Sequence, residues 1–158
     1  MTLTGSYVDA TEAETYFENS PLAITFLDSE YLEWYLQEAT RHIDDLPLAG
    51  IKYEYDQDRA FPRYIDDMVV GDADQNAVVP DLVIRACMEE AIAIYAEQAA
   101  GGTSRSTLQE AGVASYQIPG IISETFRPGS GSASQMGLQS SSSYRLLSKY
   151  IARSVPIR

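Results

Sequence analysis

Residues 29–45 read SEYLEWYLQEATRHIDD, and their spacing decides the fold class. Leu32, Tyr35, Leu36, Ala39, Ile43 and, just beyond, Leu46 recur at steps of three and four. That spacing puts them on one face of an α-helix, with acids and polar groups on the other. Asp28 or Ser29 can cap the start, Glu30 and Glu33 suit its positive dipole end, and Pro47 and Gly50 stop it. The spacing predicts a helix over 29–45.

Two more helices follow outward from this one. Asp9 with Glu12 three residues on makes a capping box for a helix over 10–18, ended by Asn19-Ser20-Pro21, with Tyr7, Val8, Ala13, Tyr16 and Phe17 as apolar contacts. Pro80-Asp81 opens a helix running to about Ala100, with Ile84, Cys87, Met88, Ala91, Ile94 and Tyr95 toward the core and Gly101-Gly102 as the stop. Between them, residues 47–79 lose periodicity and are punctuated by Pro62, Gly71 and Pro80. They predict a long loop around the core, anchored by Phe61 and Tyr64.

Beyond Gly102 the pattern changes. Val113–Ile118 and Ile121–Phe126 read as two strands joined at Pro119-Gly120. Residues 127–143 are mostly glycine and serine and cannot form a core alone, so a neighbouring chain is expected to hold them. A short helix over 144–152 presents Tyr144, Leu147 and Ile151, with Ser142 or Ser143 as its cap, and an extended tail follows. The expected fold is mainly α: a small bundle of three main helices plus the short C-terminal one, with a β-hairpin and an extended arm. Its parts are an acidic helical core at 1–102, the hairpin segment at 103–127 and the arm at 128–158.

A chain of 158 residues has room for one domain, and 45% hydrophobic with 22% charged residues is ordinary globular composition. The single cysteine excludes an internal disulfide and fits a reducing cytoplasm. No basic leader with an apolar core opens the chain and no apolar run reaches 18 residues, so neither secretion nor membrane insertion is expected. The net charge of −12 is unevenly spread. Residues 1–100 hold 21 carboxylates against five cations, while residues 101–158 hold six cations against two carboxylates. Such asymmetry predicts two surfaces that meet different partners.

The usual carriers of enzyme chemistry are missing. Asp72, Asp74 and Asn76 imitate the start of a calcium loop, but Ala77 stands where glycine is needed and Val83 where a bidentate glutamate belongs. His42 is the only histidine and Cys87 the only cysteine, so a zinc site has too few ligands. Asp44-Asp45, Asp66-Asp67 and Glu89-Glu90 are sequence neighbours that do not face each other on a helix, which disfavours an acid/base dyad. No phosphate loop, nucleophile elbow or Cys-x-x-Cys is present. No enzyme activity and no cofactor or metal is expected. For nucleic acid, residues 1–100 are too acidic to neutralise phosphates. Tyr144 and Tyr150 interleaved with Arg145, Lys149 and Arg153 form only a small basic footprint, better suited to docking on an acidic protein surface.

A resemblance rests on the order of several short segments. Tyr7-Val8-Asp9-Ala10 precedes Tyr16-Phe17, and then come Leu36-Gln37-Glu38-Ala39-Thr40-Arg41-His42-Ile43-Asp44, Gly50 and Ala60-Phe61-Pro62-Arg63. Val79-Pro80, Glu89-Glu90-Ala91, Leu108-Gln109-Glu110-Ala111-Gly112-Val113 and Tyr144-Arg145-Leu146-Leu147 complete the series. This order resembles the head-tail connector, or adaptor and head-completion, proteins of tailed bacteriophages. Some members carry the description DnaT-like single-stranded DNA-binding protein. The Pro119-Gly120 turn and the serine run have no counterpart in the pattern.

The resemblance implies a virion protein of the neck, made in the host cytoplasm. Its copies form a homo-oligomeric ring, commonly a dodecamer, beneath the portal protein. The ring extends the channel for double-stranded DNA, which passes without specific binding, and gives the tail or a neck completion protein its landing surface. The candidates for docking on the portal are Tyr144, Arg145, Leu147, Lys149, Tyr150, Arg153 and Arg158. Those for the subunit or tail interface are Phe61, Arg63, Tyr64, Tyr116, Ile118 and Ile121. The alternative is a single-stranded DNA-binding replication accessory. A detachable arm further implies that deleting residues 128–158 leaves the helical core folded.

Overall fold

The computed structural model describes residues 5–18, 23–71, 77–99, 115–118, 122–125 and 136–152. Helix α1 spans Ala10–Phe17 and carries the expected capping box, Asp9 accepting from Glu12 N and the Glu12 carboxylate from Asp9 N. A short α2, Ile24–Leu27, comes before the long α3, Leu32–Asp44. The predicted start at Ser29 is therefore corrected by three residues to Leu32, with Tyr31 at the N-cap and no side-chain cap. The cause is Phe26, which is fully buried and needs a separate turn of chain to reach the core. Ser29 instead closes the intervening turn, its Oγ accepting from Tyr31 N. Helix α4, Asp81–Ala99, starts as the sequence predicts, with Pro80 O accepting from Val83 N and Ile84 N.

The core forms where α3 packs on α4. All six periodic residues of the opening stretch are buried, and Val83, Cys87, Ala91 and Ile94 of α4 meet them. Phe26 sits among Phe17, Tyr35 and Tyr95, with ring centroids 5.6–6.1 Å apart. Full burial of side chains this size contributes about 1.5–3 kcal/mol each. Tyr16 departs from expectation: it lies on the surface and donates its hydroxyl to Glu89.

Residues 47–71 are not a structureless loop. Strands β1 (Ile51–Lys52), β2 (Arg63–Ile65) and β3 (Met68–Val70) form an antiparallel sheet in that order. Strands this short leave no period to read. Ile65 pairs with Met68 across a two-residue turn, Asp66-Asp67, in which both residues have positive φ (50° and 62°). Positive φ at both central positions matches hairpin twist, and aspartate tolerates it better than most residues. Gly50, at φ +73°, lets β1 lie against β2, since a Cβ there would fall 1.8 Å from Tyr64 O. Gly50→Ala is therefore expected to cost more than about 2 kcal/mol and to loosen the sheet, because the blocking atoms are the backbone carbonyl of Tyr64 and cannot swing aside as a side chain could. Chemical denaturation would measure the loss, and amide exchange at Tyr53 and Tyr64 would place it.

Strands β4 (Ser115–Ile118) and β5 (Ile122–Thr125) pair antiparallel, as the sequence predicts. The last helix, α5, runs Ser141–Leu147 with Ser140 as its cap, three residues earlier than predicted and ending before 152. It packs on α4. Leu138, Leu147 and Tyr150 are buried in the core, and Ser143 Oγ donates to Ala86 O on α4. Beyond α5 the backbone turns alongside residues 47–49: Ala49 N donates to Tyr150 O and Ala152 N to Pro47 O. Residues 136–152 thus belong to the core rather than to a free arm. Ser143 serves packing and not the cap expected of it. No helix among the described residues is long and apolar enough to cross a membrane.

Candidate interaction surface

Three buried polar knots hold the frame. In the first, the Tyr7 hydroxyl donates to Asp44 and accepts from Ala60 N and Phe61 N. Arg59 donates to Asp44 and to Gly5 O. Burial, reinforced by the Asp44 charge, raises the Tyr7 phenol above its usual range, so it stays protonated. In the second, Arg63 is turned inward and its guanidinium donates to Ala49 O, Ala60 O and Gly50 O at 2.9–3.1 Å and to Leu48 O at 3.4 Å. Five donors in a fixed fork suit it to gathering carbonyls from several turns of chain.

The third knot pins the C-terminal segment. Glu90 is 0% exposed, and its carboxylate accepts from Gln139 N at 2.7 Å, Ser140 N at 2.9 Å and His42 Nδ1 at 2.8 Å. The hydrogen bond to Glu90 raises the His42 pKa above 6.5, against the opposing effect of burial. A raised histidine pKa stabilises the fold fully below its unfolded value, and that share is lost as pH rises through the folded value. Since His42 is the only histidine, wild-type stability should fall above pH 6.5 by an increment absent from His42→Gln. Urea titrations of both proteins between pH 5.5 and 8.5 test this, and parallel profiles would refute it.

Among the described residues, two surfaces group exposed apolar side chains with charged ones. Register puts Ile51, Tyr64 and Val69 on one face of the sheet and Lys52, Arg63 and Val70 on the other. Arg63 is buried, and Ile65 and Val70 pack on the core, so the Ile51 face points outward. Tyr53 stacks on Tyr64 there, with centroids 5.1 Å apart and planes 24° apart. Ile51 is 69% exposed. The β1–β2 loop brings Glu54, Asp56 and Asp58 to one end of this face, and the turn brings Asp66 and Asp67 to the other. None of the five pairs with a cation among the described residues. The second surface is the outer side of α3, where Tyr31 and Trp34 are exposed and Arg41 pairs with Glu38 at 2.7 Å. Uncovered apolar residues with a charged rim mark a docking surface.

The predicted interface and docking residues scatter. Phe61 is buried edge-on between Tyr7 and Tyr150, and Arg63 is buried among carbonyls, so both serve the interior and not a surface. Tyr64 alone of that group lies on the outward sheet face. Tyr116 and Ile118 belong to β4, and Ile121 lies outside the described residues. Leu147 and Tyr150 are corrected from docking to core, because α5 presses its apolar side on α4, and Tyr144 packs partly buried beside them. Arg145 and Lys149 are exposed, Lys149 lying 4.7 Å over the Tyr150 ring. Arg153 and Arg158, like the Asp72–Asn76 segment, lie outside the described residues.

Cys87 is buried against Thr40 Oγ1 and Leu36 O, and burial pushes its thiol pKa up to about 11. Among the described residues no group of three or more His, Cys, Asp or Glu is placed to hold a metal ion. Sequence reasoning missed Glu90, although a signal existed: Val83, Cys87, Glu90 and Ile94 step by four, three and four, placing a carboxylate within an apolar stripe.

Fold and surface define the class as a small, mainly α bundle with a peripheral three-stranded sheet. The chain belongs to the family described as "Putative DnaT-like ssDNA binding protein", whose pattern it matches over residues 3–157. That agrees with the DnaT-like description carried by some proteins the sequence resembles. No curated protein and no solved structure matches the chain.

Proposed function

We propose that this chain is a structural subunit of a phage neck, whose copies form a ring beneath the portal, extend its channel and carry the tail or a completion protein. The observation that carries this reading is the direction in which the charges point. Arg59 and Arg63 are spent on the interior, Arg41 on Glu38 and Lys52 on Gln57 O, and Arg85 lies beside the Tyr16 hydroxyl and Glu89. Glu14, Glu18, Glu30 and Glu33, exposed along α1 and around the start of α3 and unpaired among the described residues, face outward instead. Phosphate binding needs free cations, whereas an acidic wall repels a duplex and lets it slide. Arg145 on α5 and Lys149 just beyond it are the described residues best suited to meet the portal.

The family description favours a second reading, a single-stranded DNA-binding accessory of replication. Titrating a labelled oligonucleotide at 50 and 200 mM salt separates the two. The ring reading expects negligible binding at both concentrations and capped portals in negative stain when portal is added. Tight binding that weakens steeply with salt, with bare portals, would establish the second reading and overturn the first.

A further inference from the structure

We infer that the outward sheet face of one copy receives the last six residues, 153–158, of a second copy, so that neighbours are joined head to tail. This deepens the ring reading and rests on it in one respect: it names the contact between adjacent subunits. The receiving face has an apolar centre, Ile51 with the stacked Tyr53 and Tyr64, and carboxylates at both ends, Glu54, Asp56 and Asp58 at one and Asp66 and Asp67 at the other. Residues 153–158 read RSVPIR, an apolar Val-Pro-Ile held between two arginines. The two sequences of chemistry are complementary: apolar against apolar in the middle, guanidinium against carboxylate at the ends.

The fold argues for a second copy as the source. Residues 150–152 run antiparallel to 49–47, with Ala152 N on Pro47 O, so the chain at Ala152 is directed away from β1 and toward the end of α3. Reaching its own Ile51 would require an immediate reversal, while a neighbour's sheet needs none. A contact between two different patches is heterologous, and repetition of it closes a ring or extends a filament. Each contact is small and partly exposed, so its strength would come from the number of copies.

The test uses the full chain, a chain ending at Ala152, an Arg153→Glu/Arg158→Glu double variant and Ile51→Asp, each followed by sedimentation velocity over a concentration series. The full chain is expected to associate, more strongly at low salt, and all three variants to remain monomeric. A fluorescein-labelled peptide of residues 153–158 should bind the shortened chain and lose at least about tenfold in affinity on Ile51→Asp. A monomeric full chain, association that survives in the shortened chain, or a peptide indifferent to Ile51→Asp would each overturn the inference. If the shortened chain still caps portals as rings, this contact fails while the ring reading stands. If the peptide binds as expected and portals stay bare, the contact stands and the neck assignment fails.

Discussion

Glu90→Ala should lower the free energy of unfolding by about 3–5 kcal/mol, the range for removing one member of a buried, hydrogen-bonded charge pair. The substitution leaves Gln139 N, Ser140 N and His42 Nδ1 without their acceptor inside the protein. Each orphaned donor keeps its desolvation cost while losing the bond that offset it. It also opens a void between α4 and the segment entering α5. Glu90→Gln retains the shape and offers one acceptor oxygen, so its loss should be smaller. Urea unfolding at pH 6 measures both, and amide exchange at Gln139 and Ser140 should accelerate before the rest of the core. A Glu90→Ala protein within 1 kcal/mol of wild type would show that the carboxylate does not hold the segment.

Deletion of residues 128–158 is expected to unfold the domain, reversing what the sequence predicts for a detachable arm. The deletion removes Leu138, Leu147 and Tyr150 from the core and Ser143 from Ala86 O. Large-to-small changes at such sites cost about 2–5 kcal/mol each, and whole domains have only about 5–15 kcal/mol in total. It also exposes the side of α4 that α5 covers and empties the Glu90 site. Far-ultraviolet circular dichroism with a thermal scan distinguishes the outcomes. A cooperative transition near that of the full chain would mean that the bundle stands without α5. Leu147→Ala, which keeps the backbone in place, provides the graded version and should cost about 2–5 kcal/mol.

The three main helices and the C-terminal hairpin were legible because their signals are local. The Asp9–Glu12 capping box, the 3–4 spacing from Leu32 to Leu46 and the Pro80 start all act within one or two turns of chain. The sheet at 51–70 escaped because strands of two and three residues carry no usable period, and its turn is Asp66-Asp67 where glycine or asparagine would have signalled one. The surface was half legible. Phe61 and Tyr64 were expected both as core anchors and as interface residues: Phe61 is the anchor and Tyr64 the outward one, while Arg63, Leu147 and Tyr150 were assigned outward and point inward. Composition explains the error. A serine-rich stretch reads as solvated, and an arginine as exposed, until specific carbonyls, helices and a buried acid are shown to receive them.

Sequence alone determined the helical class, the acidity, the lack of familiar catalytic motifs and the members of the central apolar stripe, since each depends on residues close together along the chain. Tertiary structure alone decided that Glu90 is an internal acceptor, that residues 136–152 complete the core and that Ile51, Tyr53 and Tyr64 share an outward face. Those facts depend on pairs separated by some 10 to 105 positions, such as Tyr53 with Tyr64, Glu90 with Ser140 and Pro47 with Ala152. No local pattern encodes such a meeting, because it is the packing of whole elements that brings the partners within bonding distance.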